Sequence, residues 1–202
     1  MKILIVGGNG TIGQKVSAHF KVKHDVVTGG RNSGEVTVDI ADSKSIAAMF
    51  ETLPGLDAVV CIAGEAKWAA FESMTEEDYY IGLGSKLMGQ VNLVRIGQHH
   101  LNTGGSFTLT TGILADHPVM LTTSAAMVNG AIHSFVKAVC LELKKGQRIN
   151  VVSSGLVEDA VAKYERYFPG HNPIPMQKVV NGYVKSVEGK GTGEIIRMYD
   201  NC

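Results

Sequence analysis

The stretch Ile3-Leu4-Ile5-Val6-Gly7-Gly8-Asn9-Gly10-Thr11-Ile12-Gly13 decides the fold. Four consecutive apolar residues suit a parallel strand buried on both faces. The spacing Gly8-x-Gly10-x-x-Gly13 follows at once, and residues 11–20 read as a helix. Strand, glycine turn and helix in that order match the fingerprint of a dinucleotide-binding turn. One glycine permits the tight bend. One lets the backbone approach a pyrophosphate, and one lets helix and strand pack closely. The anion then meets free N–H groups at the positive end of the helix.

Outward from this turn, strand-like and helix-like segments alternate. Residues 25–28, 36–40, 56–63, 106–111, 148–153 and 193–198 read as strands. Residues 43–53 read as a helix, with Asp42 or Ser43 as N-cap and Pro54-Gly55 as its stop. Thr75 caps a long helix with an acidic first turn, running to about residue 101, where Asn102-Thr103-Gly104-Gly105 ends it. Residues 122–145 form a second long helix, 157–167 a further helix, 168–175 a Pro-rich loop and 177–187 the last helix. Strands separated by helices of this length make βαβ units. The expected fold is α/β: a doubly wound, Rossmann-like parallel sheet in three αβα layers, one domain spanning 1–202.

Composition narrows the partners. Nineteen basic and nineteen acidic side chains give zero formal charge, which argues against nucleic acid or an anionic membrane as main partner. No apolar run approaches transmembrane length, and the first residues enter a strand with no signal-peptide layout. The scattered cysteines Cys61, Cys140 and Cys202 include no CxxC and imply a reduced, cytoplasmic setting with inert thiols. His99-His100 face different sides of a helix, so no metal site is expected.

An NAD-preferring site carries an acid about 20 residues after the glycine turn. Here that stretch reads Val27-Thr28-Gly29-Gly30-Arg31-Asn32-Ser33. Arg31 replaces the acid and suits the 2′-phosphate of NADP(H), with Asn32 and Ser33 as added donors. NADP is therefore expected over NAD. Asp39 either accepts from the adenine amino group or caps a loop.

These residues, in this order, resemble the short-chain dehydrogenase/reductase family over nearly the whole chain. Gly7-x-x-Gly10-x-x-Gly13 is similar to its glycine pattern, and Cys61-Ile62-Ala63-Gly64 to its Asn-Asn-Ala-Gly segment. Gly105-Ser106-Phe107-Thr108-Leu109-Thr110-Thr111 resembles its fifth strand, and Arg148–Ser154 with Gly155 its sixth. The resemblance implies a cofactor site at Gly7, Gly8, Asn9, Gly10, Thr11, Ile12, Gly13, Arg31, Asn32, Ser33, Asp39, Ala63 and Gly64. It also implies hydride transfer at a carbonyl carbon, and dimers or tetramers packed through the two long helices. Small residues Ala125, Ala126, Gly130 and Ala131 suit either such contacts or packing on the sheet.

The departures lie at the catalytic end. Active members use a Tyr-x-x-x-Lys pair; this sequence aligns Ala125 with the Tyr and Asn129 with the Lys. The family's active-site Asn on the preceding helix aligns with Lys86, and its catalytic Ser with Thr111 or, slipped by one, Gly112. Lys86, Thr111 and Asn129 are then the candidates for the remaining chemistry. Lys86 can hold ribose hydroxyls or donate a proton, or simply reach solvent. The resemblance places Asp116-His117 in a region that borders the substrate, and Trp68 is a lid or substrate contact, or simply core. Two functions stay open: an NADP(H)-dependent oxidoreductase acting on a small molecule, with a relocated proton donor, or a non-catalytic NADP(H) sensor or scaffold.

Overall fold

The computed structural model describes residues 1–199, so Cys202 lies outside them. Seven parallel strands form one sheet: β1 (Lys2–Val6), β2 (Asp25–Gly30), β3 (Val36–Thr37), β4 (Leu56–Cys61), β5 (Leu101–Gly112), β6 (Arg148–Ser154) and β7 (Ile195–Met198). Their order is β3-β2-β1-β4-β5-β6-β7. The chain reverses its direction of travel between β1 and β4, the switch point at which doubly wound sheets bind ligands beyond their strand ends.

Strand alternation builds two core layers. Leu4 and Val6 of β1, Val59 of β4 and Val151 of β6 share one layer with Leu93 and Ile132. Ile3, Ile5, Val60 and Val152 share the other with Val16, Phe20, Val179 and Tyr183. The first layer is covered by α2 (Ser43–Glu51), α4 (Gly89–Gly97) and α5 (Thr123–Val139), and the second by α1 (Thr11–Lys21) and α7 (Met176–Glu188). Several buried polar groups are paired. The Gln90 amide donates to the Thr110 carbonyl at 3.0 Å and accepts the Thr110 N–H at 2.8 Å, as a backbone strand would. Arg148 donates to the Ser186, Val187 and Gly191 carbonyls, closing the C-terminal end of α7.

Local signals set the helix starts. Asp42 accepts the Lys44 N–H and caps α2. Thr75 and Asp78 form a reciprocal capping box at the head of α3 (Glu76–Ile81).

Several boundaries differ from the sequence reading. The first long helix is α3, then a π-pitched segment over Gly82–Met88, then α4, and it stops at Gly97. Leu101 already pairs with Leu56, and the Asn102–Gly105 stretch is a bulge between that pair and Ala58↔Ser106. Asn102 anchors the bulge by donating to Asp57 at 2.8 Å, which holds the Asp57 carboxyl below its usual range. The third strand keeps only two residues. The second long helix ends at Val139, and the chain reaches β6 through turns in which Lys145 and Gly146 take positive φ. Residues 157–167 break into a turn, the four-residue α6 (Val161–Tyr164) and another turn. Val157 joins the sheet core, while Val161, Tyr164 and Tyr167 pack on a pocket wall, so no continuous helical stripe is needed.

Candidate functional site

The glycine turn bends between β1 and α1. Gly7 adopts φ +83° and sits against the backbone of Ile62 and Ala63. A Cβ on Gly13 would lie 2.1 Å from the Gly7 carbonyl oxygen. Packing therefore explains both glycines. It does not explain Gly10, whose Cβ would meet only the Gly7 carbonyl oxygen at 3.5 Å, an ordinary contact. Gly10 is the exposed N-cap of α1, with no side chain capping the helix and no acid in its first turn. The free N–H groups and the clear space above Gly10 fit an approaching pyrophosphate.

Two hollows flank this turn. A cleft of about 280 Å³ lies at the ends of β1, β2 and β4, lined by Gly7, Arg31, Ser33, Asp39, Ala63, Gly64, Glu65 and Ser85. Arg31 faces Glu65 across it at 3.5 Å, each side chain 59% exposed. Asp39 lends one carboxylate oxygen to the Ala41 N–H, so it caps a loop while also lining the cleft. Asn9, Thr11 and Asn32 are exposed and do not line it, and Gly8 is buried against Thr28 and Ser17. On the other side, a smaller apolar pocket of about 190 Å³ gathers Ile12, Trp68, Thr111, Gly112, Leu114, Ser154, Gly155, Tyr164 and Phe168. Trp68 is thus a wall of this pocket, tilted against Tyr164.

Lys86 sits in the π-pitched segment, a helix form that recurs at functional sites. Its Cα, Cβ and Cγ lie against Gly64, the cleft residue at φ +120°. Lys86 is half-buried, pairs with no acid among the described residues, and burial pushes its ammonium pKa down. Burial likewise pushes the neighbouring Cys61 thiol up to about 11, leaving it inert.

Helix α5 carries the other candidates at four-residue steps. Ala125 packs with Ile113, Leu114, Leu156, Phe168 and Tyr199. Asn129 is buried, and its Oδ1 has no hydrogen-bond partner. His133, which the sequence reading passed over, forms a 2.8 Å hydrogen bond with Thr111 Oγ1. The spacing 125, 129, 133 places all three on one helix face, and that was the signal available. Burial lowers the His133 pKa while nearby Asp116 opposes the shift. Asp116 itself accepts two bonds from Arg197, at 2.8 and 3.2 Å, and one from the Tyr199 hydroxyl. These bonds hold its carboxyl at about 2. No group of three metal-ligating side chains comes together among the described residues, and no described helix is long and apolar enough to cross a membrane.

The fold and the turn at its switch point define a doubly wound α/β protein of the Rossmann type. Residues 15–180 match a family model described as enoyl-(acyl carrier protein) reductase, and the chain belongs to that family, within the short-chain dehydrogenases/reductases. The Listeria innocua protein lin1944 is 43% identical, with 98% of this chain and 100% of that one covered and a TM-score of 0.97. A small-chain dehydrogenase solved in complex with NADPH is 25% identical over 98% of this chain and 95% of its own, with a TM-score of 0.87. An uncharacterised oxidoreductase of Methylorubrum extorquens is 30% identical over 115 residues, 55% of this chain. That match spans only 46% of the curated relative's length.

Proposed function

We propose that the chain binds NADP(H) and acts on a small molecule as an oxidoreductase with a non-standard proton-handling site. The observation that carries this reading is the uncapped N-terminus of α1 beneath the clear face of Gly10, with Arg31 in the cleft beside it. The NADPH complex of a relative supports the choice of nucleotide.

When bound, the nicotinamide supplies or accepts the hydride; the protein's work is placement and proton handling. Arg31 and Ser33 hold the 2′-phosphate, with Arg31 exchanging Glu65 for it. Asp39 keeps one carboxylate oxygen for the adenine amino group. Lys86 and Asn129 hold ribose hydroxyls. In the family pattern the amide stands on the first long helix and the ammonium on the second. Here the two types have changed places, and the π-pitched segment that carries Lys86 packs on α5 through Gly82, Ser124 and Val128. A ribose hydroxyl would satisfy the orphaned Asn129 Oδ1. Thr111 meets the substrate oxygen.

The second reading, a sensor or scaffold without turnover, is favoured by one feature: Ala125 stands where the family carries its Tyr and brings no proton donor of its own. Self-association fits the surface of the two long helices. Tyr80, Ile81, Met88 and Met127 are exposed there, and a Cβ on Gly84 or Gly130 would meet nothing within 4 Å. Ala125, by contrast, faces inward.

The test is thermal unfolding with NADPH and with NADH. A nucleotide present at about 100 times its dissociation constant stabilises by roughly 2.7 kcal/mol. NADPH is expected to raise Tm more than NADH, and no shift with either nucleotide refutes both readings.

A further inference from the structure

We infer that His133 is the proton-exchanging group of the catalytic end, working through the Thr111 hydroxyl. The inference rests on the nucleotide reading above and goes beyond it, because it assigns the acid that the Tyr position no longer holds.

Three observations converge. Thr111 is 4% exposed and contributes to the wall of the apolar pocket, while its Oγ1 sits 2.8 Å from His133 Nε2. His133 is 6% exposed and lies on the α5 face that carries Ala125 and Asn129. Its imidazole is the only buried side chain among the described residues whose ordinary pKa lies near neutrality. The charged groups facing it come from three elements. Asp116, in the loop after β5, favours the protonated ring, while Arg197 of β7 and Lys137 of α5 disfavour it. Burial is the largest influence and, with the second pair, lowers the ring's pKa.

The relay balances as follows. In reduction, a bound reduced nicotinamide would supply a hydride to a substrate carbonyl carbon, the C=O π pair going to oxygen. That oxygen takes the Thr111 Oγ1 proton, and Thr111 regains one from protonated His133 Nε2, leaving neutral imidazole. Oxidation runs the same steps backwards, with neutral His133 as the base, following the hydroxyl–imidazole logic of activated nucleophiles. Reduction is therefore favoured below the His133 midpoint and oxidation above it.

The decisive experiment is an NMR pH titration of the His133 ring in the whole protein, free and saturated with NADPH or with NADP⁺. The oxidised ring carries one more positive charge. If His133 and Thr111 serve the nicotinamide end, the midpoint in the NADP⁺ complex falls below that in the NADPH complex by roughly one pH unit. A histidine that only ties α5 to β5 would titrate alike in both complexes, and that result overturns the inference while leaving nucleotide binding intact. Absence of binding, seen in the same samples as unchanged spectra, removes the nucleotide reading and this one with it. Thr111→Ser should keep the separation and Thr111→Val should change the His133 midpoint in every state.

Discussion

The two hollows beside the glycine turn are built on opposite plans. The cleft proposed for the nucleotide is polar and leaves two charged groups exposed: Arg31 and Glu65 hold only each other, at 3.5 Å. The pocket proposed as the catalytic end is apolar, and the polar side chains behind and beside it are spent on one another, Thr111 on His133 and Asp116 on Arg197 and Tyr199. The first arrangement waits for a ligand to complete it. The second is largely complete without one, apart from the orphaned Ser124 Oγ and Asn129 Oδ1. Substitutions in the cleft should therefore act on nucleotide affinity, and substitutions at the catalytic end on stability.

The glycine turn breaks that rule and sets its limit. Gly13→Ala puts a Cβ 2.1 Å from the Gly7 carbonyl oxygen, where only backbone movement can relieve the overlap. The expected cost is about 3 kcal/mol, a fall in Tm of roughly 10 °C, together with loss of the NADPH-dependent shift. Gly10→Ala should leave the melting temperature of the free protein nearly unchanged and still weaken NADPH. Equal melting losses for the two variants would show that Gly10 serves packing after all.

Within the cleft, Arg31 separates the two nucleotides. Arg31→Ala removes charge-assisted bonds worth about 1.5–3 kcal/mol, so NADPH affinity should fall roughly 10- to 100-fold while NADH changes little. Glu65→Gln removes the charge that competes for Arg31 and should tighten NADPH about threefold, a small effect because the pair is exposed. Calorimetric titration with both nucleotides decides the matter. Equal losses for NADPH and NADH in Arg31→Ala would refute the 2′-phosphate assignment.

These contrasts follow how much the sequence revealed. The parallel sheet, the glycine turn and the caps at Asp42 and Thr75 were legible because each is set by local periodicity or by one turn's chemistry. The helix ends were not. Leu101 leaves the helix to pair with Leu56, a tertiary decision that its neighbours do not encode. Arg31, Ser33 and Asp39, read from their place after the glycine turn, and Ala63 and Gly64, read from the family resemblance, line one cleft, but the approach of Glu65 to Arg31 joins two loops 34 positions apart in sequence. His133 was missed because it matches no motif and shows its partner only when α5 lies on β5. The latch from Asp116 to Arg197 and Tyr199 spans 81 and 83 positions and has no sequence signature.

Asn129 tests the exception at the catalytic end. Asn129→Leu replaces an unsatisfied buried acceptor by an apolar side chain of similar size. The free protein should become no less stable and gain up to about 1 kcal/mol, while the Tm increase given by NADPH should shrink. A stability loss with an unchanged nucleotide shift would assign Asn129 to the core alone.

The smallest effect belongs to the Asp116 latch, and its sign is fixed by linkage. The Arg197 guanidinium, and then the Tyr199 hydroxyl, hold the Asp116 carboxyl at about 2, below its ordinary 3.8. A lowered folded-state pKa stabilises above the unfolded value, and that contribution is lost as pH falls from about 4 towards 2. The side chain is 27% exposed and the Arg197 side chain 42%, so screening reduces the contribution to about 1 kcal/mol. Asp116→Asn should lower Tm by roughly 3 °C at pH 7 and by far less at pH 2, where the parent carboxyl is already taking up its proton. The same variant removes the one nearby charge that favours protonated His133, so the His133 midpoint should drop. A Tm loss that persists undiminished at pH 2 would mean that the latch acts through packing of Tyr199 and not through charge.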